Sequence, residues 1–192
     1  MLRDVRGLAL VYAALLEKLD LTGVTVVGNS IGGWIAAELA VISPSRLKGV
    51  VLVSATGIEV AGHPVADVFK LTPDELSRLS YHEPERFRID PAALPPERRA
   101  AMAANRAALA VYGGSGSDPT LRARLSGIKL PALLLWGASD RIVDTTYGRT
   151  YADAISGATF RVLPGTGHVP QIETPELLAG EVMRFVDATA QG

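Results

Sequence analysis

The chain has 192 residues, 48% of them apolar, with 19 basic against 20 acidic side chains and no cysteine. That length allows one sizeable core or a core carrying a small insertion. The balanced charge argues against a nucleic-acid or anionic-membrane binder, and the lack of cysteine excludes a disulfide framework, a thiolate zinc site and a cysteine nucleophile. Its apolar runs are too short to span a bilayer, and residues 1–20 lack the unbroken apolar stretch of a signal peptide, so a cytoplasmic location is expected.

Residues 4–19 carry Val5, Leu8, Tyr12, Leu15, Leu16 and Leu19 at helical spacing, behind Asp4 as a candidate cap. A turn at Leu21–Gly23 leads into a short apolar strand, Thr25–Val27. A helix from Ile31 to Ile42 follows, with Trp34, Ile35 and Leu39 on one face, and stops at Ser43-Pro44. Lys48–Val53, Pro131–Trp136 and Ala158–Leu163 read as three further strands. Apolar strands separated by helices predict a parallel sheet of about four strands covered on both faces. A closing helix is expected from Pro175 to about Ala188, capped by Thr174.

Residues 55–125 differ in character. Prolines recur at 64, 73, 84, 91, 95 and 96, charges cluster at Glu83–Arg88 and Glu97–Arg106, and strand signals are poor. Helices are expected from Thr72-Pro73-Asp74-Glu75 and over Pro96–Val111, with a flexible exit at Gly113–Ser117. This segment reads as a helical cap inserted into a core formed by 1–54 and 126–192. Its basic residues interleave with glutamates, which fits a solvated helical surface better than an anion-steering one.

Three loops carry chemistry. Val24–Trp34 reads as strand, Gly-x-Ser-x-Gly turn, then helix, so that glycines at 28 and 32 allow a sharp reversal exposing the Ser30 hydroxyl. The Ile31 amide would lie at the helix N-terminus, where N–H groups lack intrahelical acceptors and can stabilise an oxyanion. Asp140 follows the third strand and His168 the fourth. In an open parallel sheet such loops share one edge, so Ser30, Asp140 and His168 can converge. Asp144 competes as the acid, and His63 and His82 are the alternative histidines. Asn29 is either a substrate contact or a residue tolerant of a tight turn. Val143 and Val169 are candidates for the pocket mouth, and Trp34 and Trp136 are expected in the core.

In Gly28-Asn29-Ser30-Ile31-Gly32-Gly33, Gly137-Ala138-Ser139-Asp140-Arg141-Ile142-Val143 and Gly167-His168-Val169-Pro170, the chain resembles the α/β-hydrolase family. The order Ser…Asp…His is that family's order. The resemblance implies a Ser30–Asp140–His168 triad that works through an acyl-enzyme on a small-molecule carbonyl substrate, with the Ile31 N–H in the oxyanion site and neither metal nor organic cofactor. It also implies departures. The family's usual core has eight strands with the nucleophile after the fifth, whereas here the nucleophile strand comes first. The equivalents of strands one to four are missing, as is the loop that donates the second oxyanion amide. The expected fold is therefore a partial α/β-hydrolase with an exposed strand edge, which invites pairing with another copy of the chain. Ester hydrolysis leads. Carbon–carbon bond hydrolysis of ring-cleavage products and a non-catalytic remnant are the alternatives.

Overall fold

Four parallel strands form where β-branched and leucine residues run together: β1 (Val24–Asn29), β2 (Leu47–Val53), β3 (Ala132–Gly137) and β4 (Thr159–Leu163), in the order β1-β2-β3-β4. The computed structural model describes residues 3–89, 93–114 and 116–190. Pro91 and Ser115 of the expected insertion lie outside them. Register places Asn29 opposite Val53, Val53 opposite Leu135, and Gly137 opposite Leu163. The loops after β1, β3 and β4 therefore leave the sheet at one edge.

The alternation of side chains along the two central strands divides the core in two. Val50 and Leu52 of β2, with Leu134 and Trp136 of β3, face a large cluster. That cluster also takes residues from α1 (Val5–Lys18), α2 (Ile31–Ile42), α5 (Leu121–Leu125) and α6 (Thr145–Asp153). Val51, Val53, Leu133 and Leu135 face the other way, onto Leu177, Leu178, Val182 and Phe185 of α8 (Pro175–Ala190). Each wholly buried aliphatic side chain here contributes about 1.5–3 kcal/mol, an upper estimate because unfolded chains bury some area too.

The helix ends follow local chemistry. Asp4 caps α1 by accepting from the Gly7 N–H at 2.7 Å. Thr72 and Glu75 form a reciprocal capping box at the start of α3 (Pro73–Ser80). The helix α4 (Pro96–Gly113) opens on proline, and of its residues only Gly113 is buried. Between β2 and β3 the insertion's two ends are pinned together by a bridge between Gly57 and Ser117 and by the Asp118 N–H on the Gly57 carbonyl. Ala55, Ile58, Leu121 and Leu125 at those ends pack into the large cluster. A buried Glu38 from α2 receives Arg124 of α5, which also pairs with Asp118. Charge without packing against water is tolerated there because the carboxylate is paired.

Several local expectations are corrected. On α1 the buried positions are Val5, Gly7, Ala9 and Leu16, while Tyr12, Leu15 and Leu19 stand exposed. The small residues let α1 lie close on α2, and among the described residues no element packs on its other apolar side, since β1 ends the sheet. Strand β4 is the opposite edge, and only Leu163 is buried in it. An unexpected short helix, α7 (Pro170–Glu173), precedes α8, and the Thr174 hydroxyl pairs with that of Thr166. Gly28 is sterically required, because a Cβ there would lie 2.1 Å from the Gly32 carbonyl oxygen; a Cβ at Gly32 would meet open space. The second tight position is Gly33, against the Ala55 side chain. Among the described residues no helix is long and apolar enough to cross a membrane.

Candidate active site

Ser30 sits between β1 and α2 with φ 56° and ψ −122°, a conformation that costs a non-glycine residue about 1–3 kcal/mol unless its surroundings impose it. They do. The Ser30 N–H donates to the Val53 carbonyl at 2.9 Å, and the Ser30 carbonyl accepts from Trp34 and Thr56. The residue before α2 is thus locked to β2, and it lines a cavity of about 660 Å³. Ile31 is the first residue of α2, where the backbone N–H has no intrahelical acceptor, and it lines the same cavity.

Asp140 follows β3 in a loop that closes around its carboxylate. Oδ1 accepts the N–H groups of Ile142 at 2.9 Å and Val143 at 3.1 Å, and Oδ2 meets His168 Nδ1 at 2.9 Å. The Asp140 side chain is fully buried and that of His168 nearly so. A carboxylate only accepts, so Nδ1 carries a proton and donates it to Asp140, leaving Nε2 as the ring nitrogen free of that bond. The two loops can approach because of paired glycines: a Cβ at Gly137 would lie 2.0 Å from the Gly167 carbonyl. His168 also lines the cavity, so Ser30 and the imidazole face one space.

The rival acid and histidines are occupied elsewhere. Asp144 caps α6 through the Tyr147 N–H at 2.8 Å and pairs with His63 Nδ1 at 2.5 Å. Burial raises the Asp144 carboxyl pKa, but the His63 and backbone hydrogen bonds outweigh it and hold it below the usual carboxylate range. His82 Nδ1 meets the Ser139 hydroxyl at 2.7 Å, on the outside. Neither His63 nor His82 lines the cavity.

Asn29, Val143 and Val169, expected at the pocket, do not line it. The Asn29 amide donates to the carbonyls of His168 at 2.9 Å and Val53 at 3.2 Å, and its oxygen accepts from Gln171. It is spent on tying the histidine loop to the sheet. Val143 is buried, with its N–H on Asp140 and its carbonyl on Trp136 Nε1. Val169 precedes α7 as its half-buried cap residue. Trp136 is a core residue as expected, whereas Trp34 is both core and cavity wall. Sequence reading missed Ile142, Leu109 and Phe69 as wall residues, because no local pattern marks them. Among the described residues, the carboxylate and ammonium groups on the cavity wall are Asp67 and Lys70, paired at 2.8 Å. Among the described residues no three His, Asp or Glu side chains converge as a metal site would.

Comparison with known proteins supports this architecture. The chain is 26% identical to an uncharacterised protein of Mycobacterium tuberculosis (strain H37Rv), over 91% of this chain and 59% of that one. It is 28% identical to a 2-hydroxymuconate semialdehyde hydrolase of a Pseudomonas species (strain CF600), over 91% and 67%. Among solved structures, a bacterial membrane phospholipase A superposes with a TM-score of 0.77 at 25% identity, covering 98% of this chain and 64% of that one. The chain therefore spans about three-fifths of the length of the first of these relatives. The model of the alpha/beta hydrolase family matches residues 2–181. With that match over nearly its whole length, the chain belongs to the alpha/beta hydrolase family.

Proposed function

We propose that the chain is a serine hydrolase that cleaves a carboxylic ester or similar carbonyl compound through an acyl-enzyme. The observation that carries this reading is the His168–Asp140 bond placed on the same cavity as Ser30. His168 Nε2 takes the Ser30 proton as Oγ attacks the carbonyl carbon, and Asp140 stabilises the imidazolium that forms. The oxyanion accepts from the Ile31 N–H. Collapse of the tetrahedral intermediate expels the alkoxide, which takes the proton back from His168 and leaves the acyl group on Ser30. Water then adds to the ester with His168 again as base; the acyl–Oγ bond breaks, Ser30 Oγ takes the proton back from His168, and the acid is released.

A second reading, hydrolysis of a carbon–carbon bond in a ring-cleavage product, is favoured by the similarity to the semialdehyde hydrolase and by the Gly-Asn-Ser sequence. Such products carry a carboxylate. Among the described residues, the one lysine or arginine on the cavity wall, Lys70, is already paired with Asp67, which favours the uncharged ester. The test is labelling by a fluorophosphonate. Labelling that disappears in Ser30→Ala supports a working triad; a folded chain that is not labelled indicates a non-catalytic remnant. Turnover of a p-nitrophenyl ester against that of a vinylogous 1,5-diketone acid then separates the two reactions.

A further inference from the structure

Helix α3 and the residues after it touch both loops of the acid–histidine pair. The Leu79 carbonyl accepts from the Arg141 N–H at 3.1 Å and the Arg78 carbonyl from its guanidinium at 3.0 Å, next to Asp140 in the chain. The Ser80 carbonyl accepts from the His168 N–H at 2.6 Å. A Cβ on Gly167 would lie 2.2 Å from that same Ser80 oxygen, so the close approach requires glycine there. Leu76 and Ser80 of α3 also line the substrate cavity.

One side chain closes this junction from the far side. Glu173, at the end of α7, accepts the Gly167 N–H on Oε2 at 2.5 Å. Its Oε1 accepts the His82 N–H at 2.7 Å and lies 3.5 Å from that of Glu83. Among the described residues it has no cationic partner, so backbone N–H groups alone serve its charge. Bonds from N–H groups to an ionised acceptor are about twice as strong as neutral ones. Three donors from two separate segments on one carboxylate form a clamp: the segment after α3 on one side, the histidine loop on the other.

We propose that Glu173 is a positioning residue that locks the His168 loop to the segment after α3, so that the cavity wall and the general base move as one body. The catalytic part of this proposal rests on the serine-hydrolase reading; the clamp itself does not. Misplacing a reacting group by about 1 Å can cost roughly a hundredfold in rate. Loss of the clamp is therefore expected to slow Ser30 labelling by about 10–100-fold, mainly through the rate of reaction at saturating probe rather than through probe binding.

The test compares the full-length protein with Glu173→Ala and Glu173→Gln by amide hydrogen exchange, by nitrogen-edited NMR of the three imidazoles and by fluorophosphonate labelling. The expected result in Glu173→Ala is faster exchange at Gly167, His82 and Glu83 and unchanged exchange in β3. The His168 imidazole signals should broaden while those of His63 stay sharp, and labelling should slow. Glu173→Gln, which keeps one acceptor oxygen, should fall between. Unchanged exchange and unchanged His168 signals in Glu173→Ala overturn the clamp, and so does normal labelling despite faster exchange. If the folded wild type is not labelled at all, the serine-hydrolase reading fails, and exchange with the imidazole signals decides the clamp alone.

Discussion

The two halves of the candidate site are built to different standards. The acid half hangs from the inside of the fold: β3 is buried along its whole length, and every Asp140 oxygen has a partner, one of them His168 from the loop after the edge strand β4. The serine half hangs from an edge. Among the described residues β1 pairs on one side only and Val27 is 47% exposed, while Leu10, Val11 and Leu15 of α1 and Leu19 just after it stand in solvent. Asp140 is thus held by buried partners on both oxygens, one of which fixes the His168 ring. Ser30 is held by its N–H on Val53 of β2 and by its carbonyl, which accepts from Trp34 and Thr56. A group held by buried, fully satisfied partners should be costly to alter; a group held at an open edge should respond to what covers that edge.

The largest expected effect lies in the first half. Asp140→Asn would leave packing intact but oppose the tautomer that offers Nε2 to Ser30, and labelling or ester turnover should fall about 10³–10⁴-fold. Asp140→Ala should add a stability loss of about 1–3 kcal/mol by orphaning the N–H groups of Ile142 and Val143. Urea denaturation of both variants separates the two effects. A loss of stability in Asp140→Asn as large as that in Asp140→Ala would mean that Asp140 is merely a turn residue.

Next in size is the joint between α6 and the start of the insertion. The buried Tyr147 hydroxyl donates to the Ile58 carbonyl at 2.8 Å and accepts from the Ile58 N–H at 2.9 Å. Tyr147→Phe leaves both backbone groups unpaired and should cost about 1–3 kcal/mol. Burial pushes the Tyr147 pKa well up, the backbone hydrogen bonds opposing it only in part. A raised phenol contributes stability that is present below its unfolded pKa of about 10 and lost as pH rises toward the folded value. The wild-type midpoint should thus fall on alkaline titration, and the difference from Tyr147→Phe should narrow.

How much of this was legible in the sequence follows the same division. The central strands were readable because Val-Val-Leu-Val and Leu-Leu-Leu-Trp are buried on both faces, so composition alone marks them. Asp140 was readable because it closes such a strand, and His168 because it follows the next apolar run, Ala158–Leu163. What lay outside was set by distant partners. The role of Asn29 depends on a carbonyl 139 positions away, and that of Glu173 on amides some 90 positions away. Thr174 looked like a cap, yet its hydroxyl turns to Thr166. The side chains of α1 have helical spacing, but which of them are buried depends on the small residues that let it approach α2.

A third test addresses the open edge. Self-association through β1, expected from the sequence, should appear as a concentration-dependent increase in mass by light scattering. A lysine at an exposed edge position opposes such pairing. Val27→Lys should shift the protein to monomer with little change in the urea midpoint, because that side chain is already half in solvent. A wild type that stays monomeric at high micromolar concentration would end the idea that a second copy covers this edge.

The smallest expected effect concerns Asp144, the competing acid that the family resemblance sets behind Asp140. Asp144→Asn keeps a capping side chain for α6 and loses only the His63 pairing, so labelling of Ser30 should change less than twofold. Its stability effect has a defined sign. Burial raises the Asp144 pKa, but hydrogen bonds from His63 and the Tyr147 N–H bring it below the unfolded value. The carboxylate therefore stabilises the fold above an unfolded pKa of about 3.9, and that contribution fades as pH falls through the lower folded value. With the pair 35% and 45% exposed, solvent screening keeps the effect small. Urea midpoints of wild type and Asp144→Asn should differ slightly at pH 6 and converge below pH of about 4. A loss of labelling in Asp144→Asn comparable to that in Asp140→Asn would reverse the assignment and place the working acid on the α6 cap, where His63 would have to be displaced for the triad to form.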